Sequence, residues 1–244
     1  MNTFPSEEEA TSHSANSNIN NTFTEEGQTH SSQNQMKQII SGSGYLELYL
    51  GPMFAGKTSR LVIELTRMAD LGMKVLYINY GMDVRETVGG DGLNFSSHCS
   101  SLLRMSQQVS CTRTLKLSEV DVSQFQVVGI DEANFYPDLI SKVLQWVDME
   151  SKQVYVCGLD GDYLRRPLGQ VLELIPHADM YHKIVGCCTL CLRELEERGF
   201  HGHPRHLQAC FTVRNVRVNE QLLIGGAETY TSVCRYHQLQ HSLK

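Results

Sequence analysis

The sequence predicts an α/β fold: a mainly parallel sheet flanked by helices, followed by a smaller metal-binding module. Three observations predict it. Short apolar strands alternate with helical periodicity between Tyr45 and Leu159, the mark of parallel strand–helix–strand units. A glycine-containing turn joins the first strand to the first helix. From about Gly186 the pattern breaks into Cys-, His- and Arg-rich segments with short strands. A chain of 244 residues with 41% hydrophobic and 20% charged side chains can bury a sizeable core.

Tyr45 to Leu50 (YLELYL) reads as the first strand and Gly51 opens the turn. Thr58 to Leu71 places Leu61, Leu65 and Met68 on one helical face. Lys74 to Tyr80 (KVLYINY) is apolar and reads as a second strand. Gln126 to Ile130 is a short apolar strand ending in acids, Asp138 to Val147 is helical, and Gln153 to Leu159 (QVYVCGL) is another buried strand. These assignments divide the chain into a tail over 1–44, an α/β domain over 45–185, a second, smaller module over 186–238 and a short tail over 239–244.

The first 44 residues differ from the rest. Ser, Thr and Asn fill 19 of these positions, and five Glu against one Lys are the charged residues. Such a segment cannot offset its ordering entropy by burial, so it reads as disordered. It holds most of the net charge of −6, and the remaining chain is close to neutral. A strong basic bias toward nucleic acid is therefore missing, although Arg193 to Arg217 carries five Arg and three His. No basic start runs into an apolar stretch, and no segment nears the roughly 20 apolar residues of a membrane helix. A cytoplasmic protein without membrane contact is expected. The eight cysteines then read as metal ligands or buried residues rather than disulfides.

Gly51, Pro52, Met53, Phe54, Ala55, Gly56, Lys57 and Thr58 fit G-x-x-x-x-G-K-[ST] between a strand and a helix, the context of a phosphate-binding P-loop. Backbone N–H groups of such a loop turn toward the β-phosphate, and the helix N-terminus adds a favourable dipole. Lys57 would neutralise β/γ oxygens and Thr58 would offer its hydroxyl to Mg²⁺. The Gln126 to Ile130 strand, expected beside the P-loop strand, brings Asp131 to that metal. Glu132 points elsewhere and suits a base toward a hydroxyl acceptor. The alternative is that both acids cap the turn into the next helix.

Cys188-x-x-Cys191 and Cys234-x-x-His237 are separated by 42 residues. Two short-spaced soft pairs suit a tetrahedral structural Zn²⁺ site of the Cys₃His type. Cys187 leaves the register of the first pair open, with the poorer spacing. His201, His203 and His206 in the insert read as a solvated loop, with competition as ligands the other reading, and a redox pair is the other reading of the first two cysteines.

Five stretches in order resemble the thymidine kinases of animal cytosol, many bacteria and poxviruses. They are GPMFAGKTS (Gly51 to Ser59), DVR (Asp83 to Arg85), IDEANFYPD (Ile130 to Asp138), GLDGDYLRRPLG (Gly158 to Gly169) and IGGAETYTSVCR (Ile224 to Arg235). The resemblance spans Tyr45 to His237 and implies a P-loop (RecA-like) fold. It implies transfer of the γ-phosphate of ATP to the 5′-hydroxyl of thymidine, with Glu132 as general base and Lys57 and Arg85 stabilising the charge that develops. It implies an ATP and Mg²⁺ site comprising Gly51 through Ser59, Asp83 and Asp131. Met53, Phe135, Leu159 and Tyr163 match positions packing around the thymine ring, and Thr212 matches the residue near its methyl group. Gln221, Leu222, Leu223, Ile224 and Gly225 match the loop that grips the base through its backbone, and Tyr230 matches that loop's tyrosine. A homotetramer and feedback inhibition by thymidine triphosphate are further implications.

The chain also departs from the pattern. The usual glutamine of the acidic motif is Asn134, the aromatic before Gly169 is Leu168, and the usual fourth cysteine is His237. Roughly 14 extra residues lie around Glu197 to Gln208. No departure removes a catalytic group. The competing function is a zinc-containing P-loop ATPase acting on nucleic acid.

Overall fold

Alternation in YLELYL sends Leu46, Leu48 and Leu50 to one face of the sheet and Tyr45, Glu47 and Tyr49 to the other. The computed structural model describes residues 43–82, 109–199, 207–216, 220, 221, 223 and 225–242. Nearly all of the N-terminal segment, Asp83, Arg85, His201, His203, His206, Leu222 and Ile224 lie outside the described residues, as does Ser97-His98-Cys99, which stands where the resembled family has an S-x-D-like stretch.

The main sheet contains β1 (Tyr45–Gly51), β2 (Val75–Tyr80), β3 (Ser110–Thr114), β4 (Val127–Ile130), β5 (Gln153–Leu159) and β6 (Met180–Lys183). Their order is β3-β2-β4-β5-β1-β6 and every pairing is parallel. One expectation is corrected here: β4 does not lie beside the P-loop strand, because β5 runs between them. Register still aligns their carboxyl ends, pairing Gly51 with Leu159 and Ile130 with Val156. Ligands of open parallel sheets bind beyond such carboxyl ends.

Helix α1 (Lys57–Asp70) covers one face. Its Leu61, Val62, Leu65 and Met68 pack on Tyr49, Tyr77, Val127, Tyr155 and Cys157. Gly129 permits the close approach, since a Cβ there would sit 2.3 Å from a Leu65 methyl. Helix α2 (Leu139–Leu144) covers the other face with Leu139 and Val143, then widens into a π turn (Gln145–Met149) that buries Trp146.

The chain from Gly186 forms two small antiparallel pairs. β7 (Gly186–Cys187) pairs with β8 (Gln208–Ala209), and β9 (Phe211–Arg214) with β10 (Tyr230–Val233). Helices α3 (Thr189–Glu197) and α4 (Arg235–Ser242) flank them. Residues 239–242, expected as a tail, continue α4. Cys188, Ala209, Val213 and Val233 make a small core of their own. Among the described residues, no helix is long and apolar enough to cross a membrane.

Candidate active site and metal centre

β1 ends at Gly51, whose Cα lies so close to Ile184 that a Cβ would meet its carbonyl oxygen at 2.1 Å. Gly56 then turns the chain through the left-handed region (φ 86°) into α1. No acidic residue occupies the first turn of α1, so its N-terminal dipole faces the loop uncompensated. The Lys57 ammonium donates to the Pro52 carbonyl at 2.9 Å, which folds it back over the loop. The loop is also held from the small module. Met53 N–H donates to the Thr212 hydroxyl at 3.0 Å, and the Ser232 hydroxyl donates to Met53 O. Thr212 and Ser232 are 5% and 3% exposed, so β9 and β10 form a rigid back wall for the P-loop.

Asp131, 3% exposed, follows β4 and is surrounded by donors. Its Oδ1 accepts from the Cys157 thiol at 2.6 Å, from Glu132 N–H at 2.8 Å and from the Thr58 hydroxyl at 3.3 Å. Its Oδ2 accepts from the Tyr77 hydroxyl at 2.7 Å. Burial, reinforced by the Asp131 charge, holds both the Tyr77 phenol and the Cys157 thiol well above their usual ranges, so both remain protonated donors. Glu132 has φ 51° and ψ 41°, a left-handed conformation that costs a non-glycine residue about 1 kcal/mol. The turn separates the two acids: Asp131 is buried under the loop, and Glu132 is only partly buried.

Asn134, 6% exposed, anchors the other side of the site. Its amide nitrogen donates to Leu159 O and Leu168 O, each at 2.8 Å, and its oxygen accepts Leu159 N–H at 2.5 Å. One side chain thereby joins the end of β5 to the loop before Gly169. Phe135 stacks on Tyr80 with centroids 4.9 Å apart. Tyr163 lies beneath the Arg214 guanidinium, 3.9 Å from its ring centroid. Arg214, 4% exposed, also donates to Glu220 O at 2.5 Å, Gln221 O at 3.0 Å and the Tyr230 hydroxyl at 3.0 Å. Tyr230 donates onward to Leu223 O at 2.6 Å. The Gln221 side chain reaches Asp162 at 3.1 Å and Pro167 O at 3.2 Å. A buried cation and two side-chain ties therefore fasten the loop against the 159–169 segment.

The second cluster gathers Cys188, Cys191, Cys234 and His237, whose ligand atoms all lie within 4.8 Å of one another. The Cys188, Cys191 and Cys234 sulfurs are each 3.4 Å from His237 Nδ1, and the Cys191 and Cys234 sulfurs are 3.7 Å apart. A tetrahedral Zn²⁺ with ordinary bond lengths places two sulfurs about 3.8 Å apart, so the donor set and its spacing fit that ion. His237 Nε2 lies 2.9 Å from a Glu194 carboxylate oxygen, which orients the ring with Nδ1 toward the sulfurs. Cys187 falls in β7 and is not among the four gathered residues.

Tyr77, Cys157, Arg214, Asp162 and Glu194 were not singled out by the sequence. Tyr77 carried one signal: a phenol flanked by Leu76 and Ile78 in a mostly apolar strand needs a polar partner when buried. Arg214 carried another, as a cation within the apolar strand FTVR.

A family model described as thymidine kinase matches residues 44–238. The chain is 36% identical over 211 residues to a thymidine kinase of Oryza sativa subsp. japonica, covering 84% of this chain and 69% of that protein. It is 33% identical over 207 residues to thymidine kinase a of Arabidopsis thaliana, covering 83% and 78%. It is 31% identical over 195 residues to the thymidine kinase of Monkeypox virus, covering 79% and 95%. These matches favour the kinase over the nucleic-acid ATPase. With a P-loop, an acid pair beyond β4 and a Cys₃His cluster in one fold, and with most of its length matched, the chain belongs to the thymidine kinase family.

Proposed function

We propose that this thymidine kinase transfers the γ-phosphoryl group of ATP to the 5′-hydroxyl of thymidine with Glu132 as general base. Glu132 takes the hydroxyl proton as the 5′ oxygen forms its bond to the γ-phosphorus. The bond from that phosphorus to the β–γ bridging oxygen breaks in line, and ADP leaves with its electron pair. The observation that carries this reading is the separation of the two acids by the left-handed Glu132. Asp131 is committed to donors beneath the P-loop, and Glu132, one residue on, is partly buried and left-handed, so its side chain leaves that pocket in a different direction.

Gly51 through Ser59 would wrap the ATP phosphates, and Lys57 and Arg85 would stabilise charge on the transferring group. The hard oxygen donors Thr58 and Asp131, 3.3 Å apart, suit Mg²⁺, and the family resemblance would add Asp83, which lies outside the described residues. Mg²⁺ held by these residues would supply neutralisation of phosphate charge. Met53, Phe135, Leu159, Tyr163 and Thr212 would line the thymine pocket. The loop from Gln221 through Gly225, with Leu222, Leu223 and Ile224, would cover it, and Tyr230 would secure that loop. Cys188, Cys191, Cys234 and His237 would hold a structural Zn²⁺ that ties α3 to α4. A homotetramer, feedback inhibition by thymidine triphosphate and a cytoplasmic location complete the reading on the strength of the family.

The test is a substrate panel of thymidine, deoxyuridine, deoxycytidine and deoxyguanosine with Mg-ATP, run on the parent chain and on Glu132→Gln. Thymidine monophosphate should form, and the variant should lose about 10²–10⁴-fold in kcat with its Mg-ATP KM unchanged. A full-rate Glu132→Gln enzyme would remove Glu132 from the chemistry. ATP hydrolysis stimulated by single-stranded DNA, without transfer to thymidine, would overturn the whole reading.

A further inference from the structure

We propose that Tyr77 and Cys157 are positioning residues for metal–nucleotide binding: from the two strands flanking β4, they hold the Asp131 carboxylate in the orientation that lets it accept the Thr58 hydroxyl proton. This rests on reading Thr58 and Asp131 as the metal-supporting pair.

The sheet order supplies the geometry. β4 runs between β2 and β5, so its terminal acid is reached by side chains from both neighbours. Tyr77 and Cys157 both belong to the α1-facing core and are 1% exposed. Tyr77 donates to Oδ2 and Cys157 to Oδ1. The carboxylate is thus gripped at both oxygens and cannot rotate without breaking a buried hydrogen bond. Thr58 approaches the same Oδ1 at 3.3 Å. A Thr58 hydroxyl that gives its proton to Asp131 keeps its lone pairs for a cation above the loop. Without the two lateral donors, a buried carboxylate would turn toward whichever polar group compensated it, and the Thr58 hydroxyl would lose its fixed direction. Both side chains pack in the core beneath α1, but Phe would fill the Tyr77 position without a donor, and Cys157→Ser keeps both the approximate size and the donor.

The test measures binding, without thymidine. Free Mn²⁺ is followed by electron paramagnetic resonance during titration with ATP and enzyme, and metal-free ATP binding is followed by equilibrium dialysis. Tyr77→Phe and Cys157→Ala should each weaken Mn²⁺-ATP binding roughly 10- to 100-fold, the worth of one hydrogen bond to a charged group. Metal-free ATP affinity should change less than about twofold, and Cys157→Ser, which restores a donor, should return to near the parent value. Unchanged Mn²⁺-ATP binding in the folded variants would overturn the proposal. So would equal weakening with and without metal, because that marks a general loss of loop packing. Should Tyr77→Phe fail to fold by circular dichroism, the Cys157→Ala and Cys157→Ser pair decides alone. Asp131→Asn separates the two layers. If it binds Mn²⁺-ATP normally, the metal-supporting pair itself is wrong; if it fails while Tyr77→Phe and Cys157→Ala bind normally, only the positioning role falls.

Discussion

Arg214→Met removes the cation that fastens the loop proposed to cover the nucleoside, while keeping most of the side-chain length. Three donations are lost, to Glu220 O, Gln221 O and the Tyr230 hydroxyl, together with the guanidinium stacked 3.9 Å from the Tyr163 centroid. Glu220 and Gln221 are exposed, so water replaces the guanidinium at their carbonyls and each bond counts about 0.5–1 kcal/mol. The cation–π contact adds about 0.5–2 kcal/mol, more toward the upper end because Arg214 is 4% exposed. The total is about 2–5 kcal/mol, a loss of at least roughly 30-fold in an equilibrium constant. Because those contacts converge on the 220–223 segment, the loss should fall on thymidine KM, with ATP KM changed less than about threefold. Arg214→Lys keeps the charge but not the planar fork and should recover only part of the effect. The assay is steady-state kinetics with each substrate varied at saturating concentration of the other, beside a thermal melt. A variant with a lowered melting temperature and unchanged thymidine KM would refute the reasoning, since Arg214 would then serve only the packing of β9 and β10.

The metal centre should contain one zinc per chain by atomic absorption, and Cys188→Ser or His237→Ala should lose it and lower the melting temperature. Glu194→Gln, which weakens the partner of His237 Nε2, should reduce zinc affinity about 10- to 100-fold without removing a ligand. Asp162 predicts a pH dependence. Burial raises its carboxyl, but the Arg166 N–H and guanidinium, the Gln221 amide and the Leu164 N–H outweigh that and hold it below the usual carboxylate range. Its folded value is depressed, so its contribution is full above the unfolded value of about 4 and is lost as pH falls through the folded value. Asp162→Asn should therefore lower stability at neutral pH and flatten the fall in melting temperature on acidification; an unchanged acid limb would exclude it. Gly169→Ala should destabilise by about 2–3 kcal/mol in a denaturant melt, since Gly169 has φ 62° and a Cβ there would lie 2.1 Å from Asn134 O.

The central strands and both sheet-covering helices were legible because each buries a continuous apolar face. Leu46, Leu48 and Leu50 on β1, or Leu61 and Leu65 on α1, announce themselves by spacing alone. β3 and β6 were not found, and their place in the sheet explains why. Both are edge strands with a solvated side, and SCTRT and MYHK accordingly carry polar residues where a central strand carries Val or Ile. The π turn after α2 was read as plain helix, since burying Trp146 inward needs only an approximate period. The insertion of β5 between β1 and β4 was invisible for a different reason. Strand order is decided by crossover connections, and the apolar runs of β4 and β5 are interchangeable in composition.

Cys157 shows most sharply where local reading stops. Eight cysteines suggested metal ligands, and two short spacings gathered four residues that the structure brings together. Those pairs are local: a turn of three or four residues holds both members, so spacing carries the chemistry. Cys157 has no such partner nearby and reads as a small buried hydrophobe. Its thiol acquires meaning only from Asp131, 26 residues earlier, and from Tyr77, 54 residues before Asp131. The same holds for Arg214, whose partners span Tyr163 to Tyr230. Motif residues that contact phosphate or zinc are fixed by rules within a few positions of the chain. The donors that orient them are drawn from whichever strands the fold sets alongside, and a second substitution elsewhere can replace them. Groups of that second kind are where members of one family can differ without losing the reaction.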